Sequence, residues 1–138
     1  YDPKVILSGR GVNENYSNFI FQFIKERFIS KKTKILLAGI TYKEDCNDIR
    51  NSKAIILANK LIGRYKYVDV FDPNINLAKI NNMNLVEKPK KNFYDLIVIT
   101  VRHKKFLKNS KITLKKFGKK KSFIYDVKAG GLIDWKKF

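Results

Sequence analysis

The stretch GITYKEDCNDIRNS, residues 39–52, sets five ionisable side chains (Lys43, Glu44, Asp45, Asp48 and Arg50) between two apolar runs, KILLA and AIILANKLIG. A turn from a strand into a helix needs only a glycine and a capping residue, so the charges call for a chemical reading. Asp45 and Asp48 suggest an acid/base pair or a metal site, but nothing else here supplies ligands and a metal usually takes three or more. Pairing with Lys43 and Arg50, and capping the following helix at its positive end, suits them better. Ser52 reads the same way, as an N-cap. Cys46 becomes a nucleophile only beside a base or cation, and is expected to be a bystander. His103, the single histidine, has no serine or cysteine partner in view; it is expected to open a helix at the carboxyl edge of a sheet. That leaves Lys43, whose ammonium suits a phosphate, and Tyr42, whose ring suits a flat base.

These residues need elements to hold them. Residues 12–30 carry Val12, Tyr16, Phe19, Ile20, Phe23, Ile24 and Phe28 at helical spacing, with Asn13 or Ser8 as cap. Phe21 and Ile29 fall outside that stripe, which predicts a helix with a second apolar surface available to another subunit or domain. Short β-type runs then alternate with helical ones. KILLAGI (34–40), YVDVFDP (67–73), a weak NLVEK, YDLIVITV (94–101) and SFIYDV (122–127) read as strands. Ser52 to Ile62 reads as a helix ended by Gly63, and His103 to Leu107 opens a short one. Continuous apolar strands alternating with helices predict an α/β domain with a doubly wound, mainly parallel sheet, Rossmann-like and preceded by a long helix. The boundaries expected are a helix region over 1–31 and the α/β domain over 32–138.

In such sheets ligands bind beyond the carboxyl ends of the strands, near the point where the winding reverses. The loop 39–52 lies there, yet it lacks G-x-G-x-x-G and offers Gly39 alone. Phosphate recognition must then come from side chains such as Lys43. Composition narrows the partners. Ten Phe and seven Tyr accompany a net charge of +18, so the chain folds and attracts polyanions. The lysines are spread along it, with no zinc finger and no basic stripe interleaved with aromatics, which argues against nucleic acid. No run approaches the length of a membrane span and the start lacks signal-peptide character, so no membrane partner is expected. One cysteine forms no internal disulfide, and a reduced, cytoplasmic setting is the simplest expectation.

Five segments together resemble a known family. GITYKEDCNDIRNS looks like the signature of the C-terminal domain of UDP-glucose/GDP-mannose dehydrogenases: Gly-Leu-aromatic-Lys, then Asp, Asp-x-Arg and Ser. VILSGRGVNENYSNFI resembles the stretch that begins the family's long central helix. VDVFDP, DLIVITVRHKKFL and IYDVKAG resemble its Val-x-Val-Tyr-Asp-Pro, His-x-x-Phe and Asp-x-Lys/Arg segments, in order and spacing. The variants are most similar to the branch acting on UDP-N-acetylhexosamines.

The resemblance implies a protein several-fold longer that oxidises a sugar C6 hydroxyl to a carboxylate with two NAD+, for surface polysaccharide. NAD and the catalytic residues would belong mainly to an N-terminal domain and a middle region that this chain lacks. By itself the chain is then expected to bind UDP-sugar weakly, to catalyse nothing, and to dimerise through the first helix. Residue by residue, Tyr42 and Lys43 match the aromatic-Lys pair that contacts the nucleotide-sugar. Arg50 matches an arginine that reaches NAD, and pairing with Asp45 or Asp48 is compatible with that role. Lys128 stands where many relatives have a substrate-contacting Arg; it is either that contact or a basic loop residue. Arg10 faces either the substrate or the subunit interface, with Gly11 in place of the usual second arginine. A different class of protein, a non-enzymatic basic α/β module that binds polyanions, is the competing expectation.

Overall fold

The computed structural model describes residues 14–50, 52–75, 80, 82–108 and 111–133. Helix α1 (Glu14–Arg27) comes first, then β1 (Lys34–Ala38), α2 (Ala54–Arg64), β2 (Tyr67–Phe71), β3 (Asn84–Leu85) and β4 (Tyr94–Ile99). A 3₁₀ turn (Lys104–Phe106) leads into a minimal hairpin of β5 (Leu107–Lys108) and β6 (Lys111–Ile112). A second 3₁₀ turn (Leu114–Phe117), β7 (Gly118–Asp126) and β8 (Gly131–Ile133) follow.

The main sheet runs β3-β2-β1-β4-β7-β8. All its pairings are parallel except β7 with β8. With the β5–β6 hairpin set aside, this is the doubly wound order, and the winding reverses between β1 and β4. The expected α/β class, with a long helix ahead of a mainly parallel sheet, is the one observed.

Alternation along the strands divides the core in two. On one face Ile35 and Leu37 of β1, Leu96 and Val98 of β4 and Tyr125 of β7 pack under Tyr16, Ile20 and Ile24 of α1 and Leu57 and Leu61 of α2. The spacing 16, 20, 24 is one stripe of a helix, and burying each of these large side chains contributes about 1.5–3 kcal/mol. On the other face Leu36, Ala38, Ile97, Ile99 and Ile124 are covered by Phe106, Leu114 and Phe117. Among the described residues that second cover comes from 3₁₀ turns, where the sequence suggested helices. Runs as lysine-rich as KNSKITLKKFGKKK show no helical apolar stripe, and partly buried Phe93 and Leu107 pack beside those three side chains.

Other boundaries moved. Helix α2 runs through Gly63, which is not its cap; Tyr65 caps it from an extended conformation, its N–H donating to Leu61 O. Gly63 has open space around it, so the helix passes it on the surface. The final strand is longer than SFIYDV, and β8 was not foreseen. Of the residues outside the α1 stripe, Phe21 is half-buried against the core, whereas Ile29 lies beyond the helix and is 74% exposed.

At the amino edge Tyr94 donates to Asp69 Oδ2 at 2.5 Å, while Asn84 Nδ2 donates to Asp69 Oδ1 at 2.6 Å. Burial, and then this bond, hold the Tyr94 phenol above its usual ionisation range. Burial does the same for Tyr125, helped by the Tyr16 hydroxyl beside it. Unfolded tyrosine ionises near pH 10, roughly. Since both folded pKa values are raised, the stabilisation is fully present below the unfolded value and is lost as pH rises beyond it. The urea midpoint is expected to fall between about pH 10 and pH 11.5, and less steeply in Tyr94→Phe and Tyr125→Phe. Equal slopes in wild type and variants would contradict the buried placement of the phenols.

Candidate functional site

The reversal point places the loop after β1 beside the segment after β4. Backbone bonds extend the sheet beyond the strands proper: Gly39 N donates to Phe71 O, Thr100 N to Ala38 O and Val127 N to Ile99 O. Gly39 takes φ +92, and a Cβ there would stand 2.4 Å from Val101 O. Only glycine fits this close approach. The loop's one glycine therefore serves chain packing, and it does not approach a phosphate as a dinucleotide-binding glycine does.

Beneath the loop sits His103, fully buried. Asp45 N donates to His103 Nδ1 at 2.9 Å, and Asn74 Nδ2 lies 3.0 Å from the same nitrogen. A backbone N–H only donates, so Nδ1 is the acceptor and the neutral ring carries its proton on Nε2. Nε2 then donates to Asp72 Oδ2 at 2.9 Å, with Thr41 Oγ1 at 3.2 Å as a second acceptor. Asp72 Oδ2 also accepts Ile40 N at 2.8 Å, and Oδ1 accepts Asn74 N at 2.9 Å. One imidazole thus ties together the carboxyl ends of β1, β2 and β4. It opens a 3₁₀ turn at the sheet's edge, as expected, but its burial and four polar contacts make it the anchor of the loop.

The loop's acids were assigned other partners by the sequence. Asp45, in the left-handed region at φ 59, accepts Lys104 N at 2.7 Å; it pairs with no cation of its own loop and caps no long helix. Asp48 does hold Arg50, through Nε at 3.1 Å and Nη2 at 3.0 Å. Those bonds keep the Asp48 carboxyl below its usual range and raise the guanidinium further. Neither acid caps α2, because the residue before that helix is Lys53, with no side-chain cap. Ser52 is not the N-cap either: buried, it donates to Ile40 O at 2.6 Å and clamps the loop's two ends together. Cys46 is half-buried, its thiol 3.8 Å from Asp48 O.

The remaining predicted site residues, among those described, face outward. Tyr42 is 58% exposed, and only its backbone is fixed, by the bond to Asp48 O at 2.6 Å. Lys43 is exposed and its ammonium makes no hydrogen bond or ion pair with a described residue. Lys128, in the turn after β7, reaches across to Glu44 at 3.0 Å, which brings that turn against the loop after β1. Arg50 is on the same loop, exposed and held by Asp48. Tyr42, Lys43, Arg50 and Lys128 therefore share the carboxyl edge; Arg10 and Asn13 lie outside the described residues. Sequence reasoning passed over Asp72, Arg102 and Asp126. Arg102 forms an ion pair with Asp126, whose carboxylate is fully buried. The signal was available: charged residues directly after strongly apolar strands must find partners there. Among the described residues no group of three or more His, Cys, Asp or Glu could hold a metal ion, and no helix is long and apolar enough to cross a membrane.

The chain is similar to known proteins. The pattern of the UDP-glucose/GDP-mannose dehydrogenase family, UDP binding domain, matches residues 36–130. A UDP-N-acetyl-D-glucosamine 6-dehydrogenase of Salmonella typhi is 33% identical over 137 residues, covering 93% of this chain and 32% of its own length. A UDP-N-acetyl-D-mannosamine dehydrogenase of Campylobacter jejuni is 32% identical over 114 residues, covering 77% of this chain and 28% of its own. Among solved structures, the UDP-N-acetyl-mannosamine dehydrogenase Cap5O of Staphylococcus aureus superposes with a TM-score of 0.64 at 23% identity, over 84% of this chain and 27% of that one. The chain spans about a third of the length of the curated relatives it matches most fully.

The anchoring role of His103 is testable. His103→Ala should cost about 3 kcal/mol, since it strands a buried carboxylate and a backbone donor. Urea unfolding measures the loss, and amide exchange at Asp45 should quicken with it. A protected Asp45 amide in the alanine variant would show that the loop is held by something else.

Proposed function

The chain belongs to the UDP-glucose/GDP-mannose dehydrogenase family, as its UDP binding domain, and from that premise we propose that it cradles the UDP part of a UDP-N-acetylhexosamine for an NAD-dependent 6-dehydrogenase. The observation that carries the reading is the pairing of an exposed Tyr42 ring with an unengaged Lys43 ammonium, on a loop whose underside is locked by His103. The ring offers a stacking surface for uracil and the ammonium a charge for the diphosphate. Lys128 adds a second cation to the same rim, and Arg10 is assigned to the substrate side by resemblance alone.

The full-length protein would oxidise the sugar C6 hydroxyl to a carboxylate, water supplying the second oxygen and two NAD+ accepting the electrons, for surface polysaccharide. The residues of this chain do not fit a dinucleotide cradle, because Gly39 is closed by Val101 and no further glycine opens α2. Its share in NAD binding is limited to Arg50. Asp48 occupies one edge of that guanidinium and leaves donors on the other. Contact with an N-terminal NAD-binding domain, a homodimer built on α1, and a cytoplasmic setting belong to this same reading.

A ligand that binds only the folded chain raises its stability by about 2.7 kcal/mol at a hundred times Kd. UDP should therefore lift the melting temperature by several degrees, and Lys43→Ala should remove the shift. No response to millimolar UDP, together with a response to duplex DNA at physiological salt, would favour the basic-module reading instead.

A further inference from the structure

Arg102 is a charged side chain at the reversal point that neither the sequence motifs nor the proposed function uses. It follows β4 directly, and its neighbours on both sides belong to ligand loops. On one side Val101 packs against Gly39, and His103 against Thr41 and the Asp45 amide. On the other, its guanidinium pairs with Asp126, whose second oxygen accepts Lys128 N at 3.0 Å. The two loops meet at the pair of Lys128 with Glu44. Arg102 thus stands between the segment bearing Lys43 and the turn bearing Lys128, at the crevice where doubly wound sheets receive ligands.

Its bonding is incomplete in a telling way. Asp126 is fully buried, so the ion pair places a fixed carboxylate behind the guanidinium, while the arginine side chain stays 27% exposed. Of the five N–H donors of an arginine, Nη2 serves Asp126 and Nε, buried, has no hydrogen-bond partner among the described residues. A guanidinium held from behind, partly desolvated and with donors left over, suits a planar, two-oxygen acceptor. Lys43 and Lys128 are exposed point charges on flexible stems, and they offer no such fork.

We propose that Arg102 is a further diphosphate-binding residue of this site, beside Lys43, taking the oxygens of a nucleoside diphosphate in a forked contact while Asp126 fixes its orientation. The inference rests on the nucleotide-binding reading above and adds to it the residue that discriminates a diphosphate from the bare nucleoside. The Arg50–Asp48 pair, by contrast, lies at the surface, its side chains 85% and 40% exposed, and lacks a buried carboxylate. Here the orientation is set before the ligand arrives, which lowers the ordering cost of binding.

The test compares UDP with uridine by calorimetry on the wild type, Arg102→Lys, and the double variant Arg102→Met with Asp126→Leu. The double variant removes the whole buried pair and leaves no stranded charge, so it should fold; a cooperative melt checks this. UDP affinity should drop about tenfold in Arg102→Lys and about a hundredfold in the double variant, with uridine affinity unchanged. A purely structural ion pair would lower the melting temperature and leave the UDP-to-uridine ratio at its wild-type value, which overturns the proposal. Wild type that binds UDP, beside variants that bind it equally well, overturns Arg102 alone. Wild type with no affinity for UDP overturns the nucleotide-binding reading as well.

Discussion

A neutral imidazole in a dry place holds the carboxyl edge of this sheet together. His103 satisfies, with two nitrogens, a backbone donor from the ligand loop and a buried carboxylate from the end of β2. Each of those groups would be costly to leave unpaired away from water. The strands of a parallel sheet end at the same level, and their last carbonyls and amides have no further strand to meet. Here the ladder is prolonged by a side-chain network: Ile40 N on Asp72, Ser52 Oγ on Ile40 O, Asp45 N on His103. The rest of the site follows. A loop fixed by its backbone and small polar side chains can present Tyr42 and Lys43 to solvent without ordering them through their own contacts.

This division of labour explains why the dense charge of residues 43–50 is not a catalytic cluster. Asp45 is consumed by Lys104 N, Asp48 by Arg50, and Glu44 by Lys128. The first bond ties the loop to the segment after β4, and the third joins two loops that come from opposite sides of β4. Gly39 makes the same point from the backbone side. Its φ of +92 and its contact with Val101 are demands of packing, and once they are met the loop 39–52 has no second glycine with which to wrap a diphosphate.

The sheet and its winding were legible because the central strands β1 and β4 are almost wholly apolar and α1 carries its stripe at 16, 20 and 24. The covering of the second face was not, because Phe106, Leu114 and Phe117 are isolated among lysines and follow no period. Gly63 misled as a cap: glycine ends a helix where φ must turn positive, and here the chain leaves α2 through an extended Tyr65. Within the site, the motif singled out Tyr42, Lys43, Arg50 and Lys128, and all four lie exposed at the carboxyl edge. The supporting residues were misread. Ser52 has the chemistry of an N-cap, yet its hydroxyl finds two carbonyls of the preceding loop. Asp45 has the chemistry of an ion-pair partner, yet a backbone amide of the β4 segment takes it. Those choices depend on which strand lies next to which, and the sheet order 2-1-4 brings residues 40, 72 and 103 together across gaps of about thirty positions.

The excess charge also reads differently once the acids are placed. A net +18 attracts any polyanion at long range, without choosing among them. Choice requires that most cations near the site be occupied, so that only a few correctly spaced donors are left. Glu44, Asp45, Asp48, Asp72 and Asp126, five of the twelve acids in the chain, cluster at the carboxyl edge. Each is spent on a cation, a ring nitrogen or a backbone amide. They hold Arg50, Lys128 and Arg102 in place. The field favours an anion without selecting one, and the paired acids set which donors this edge of the sheet presents.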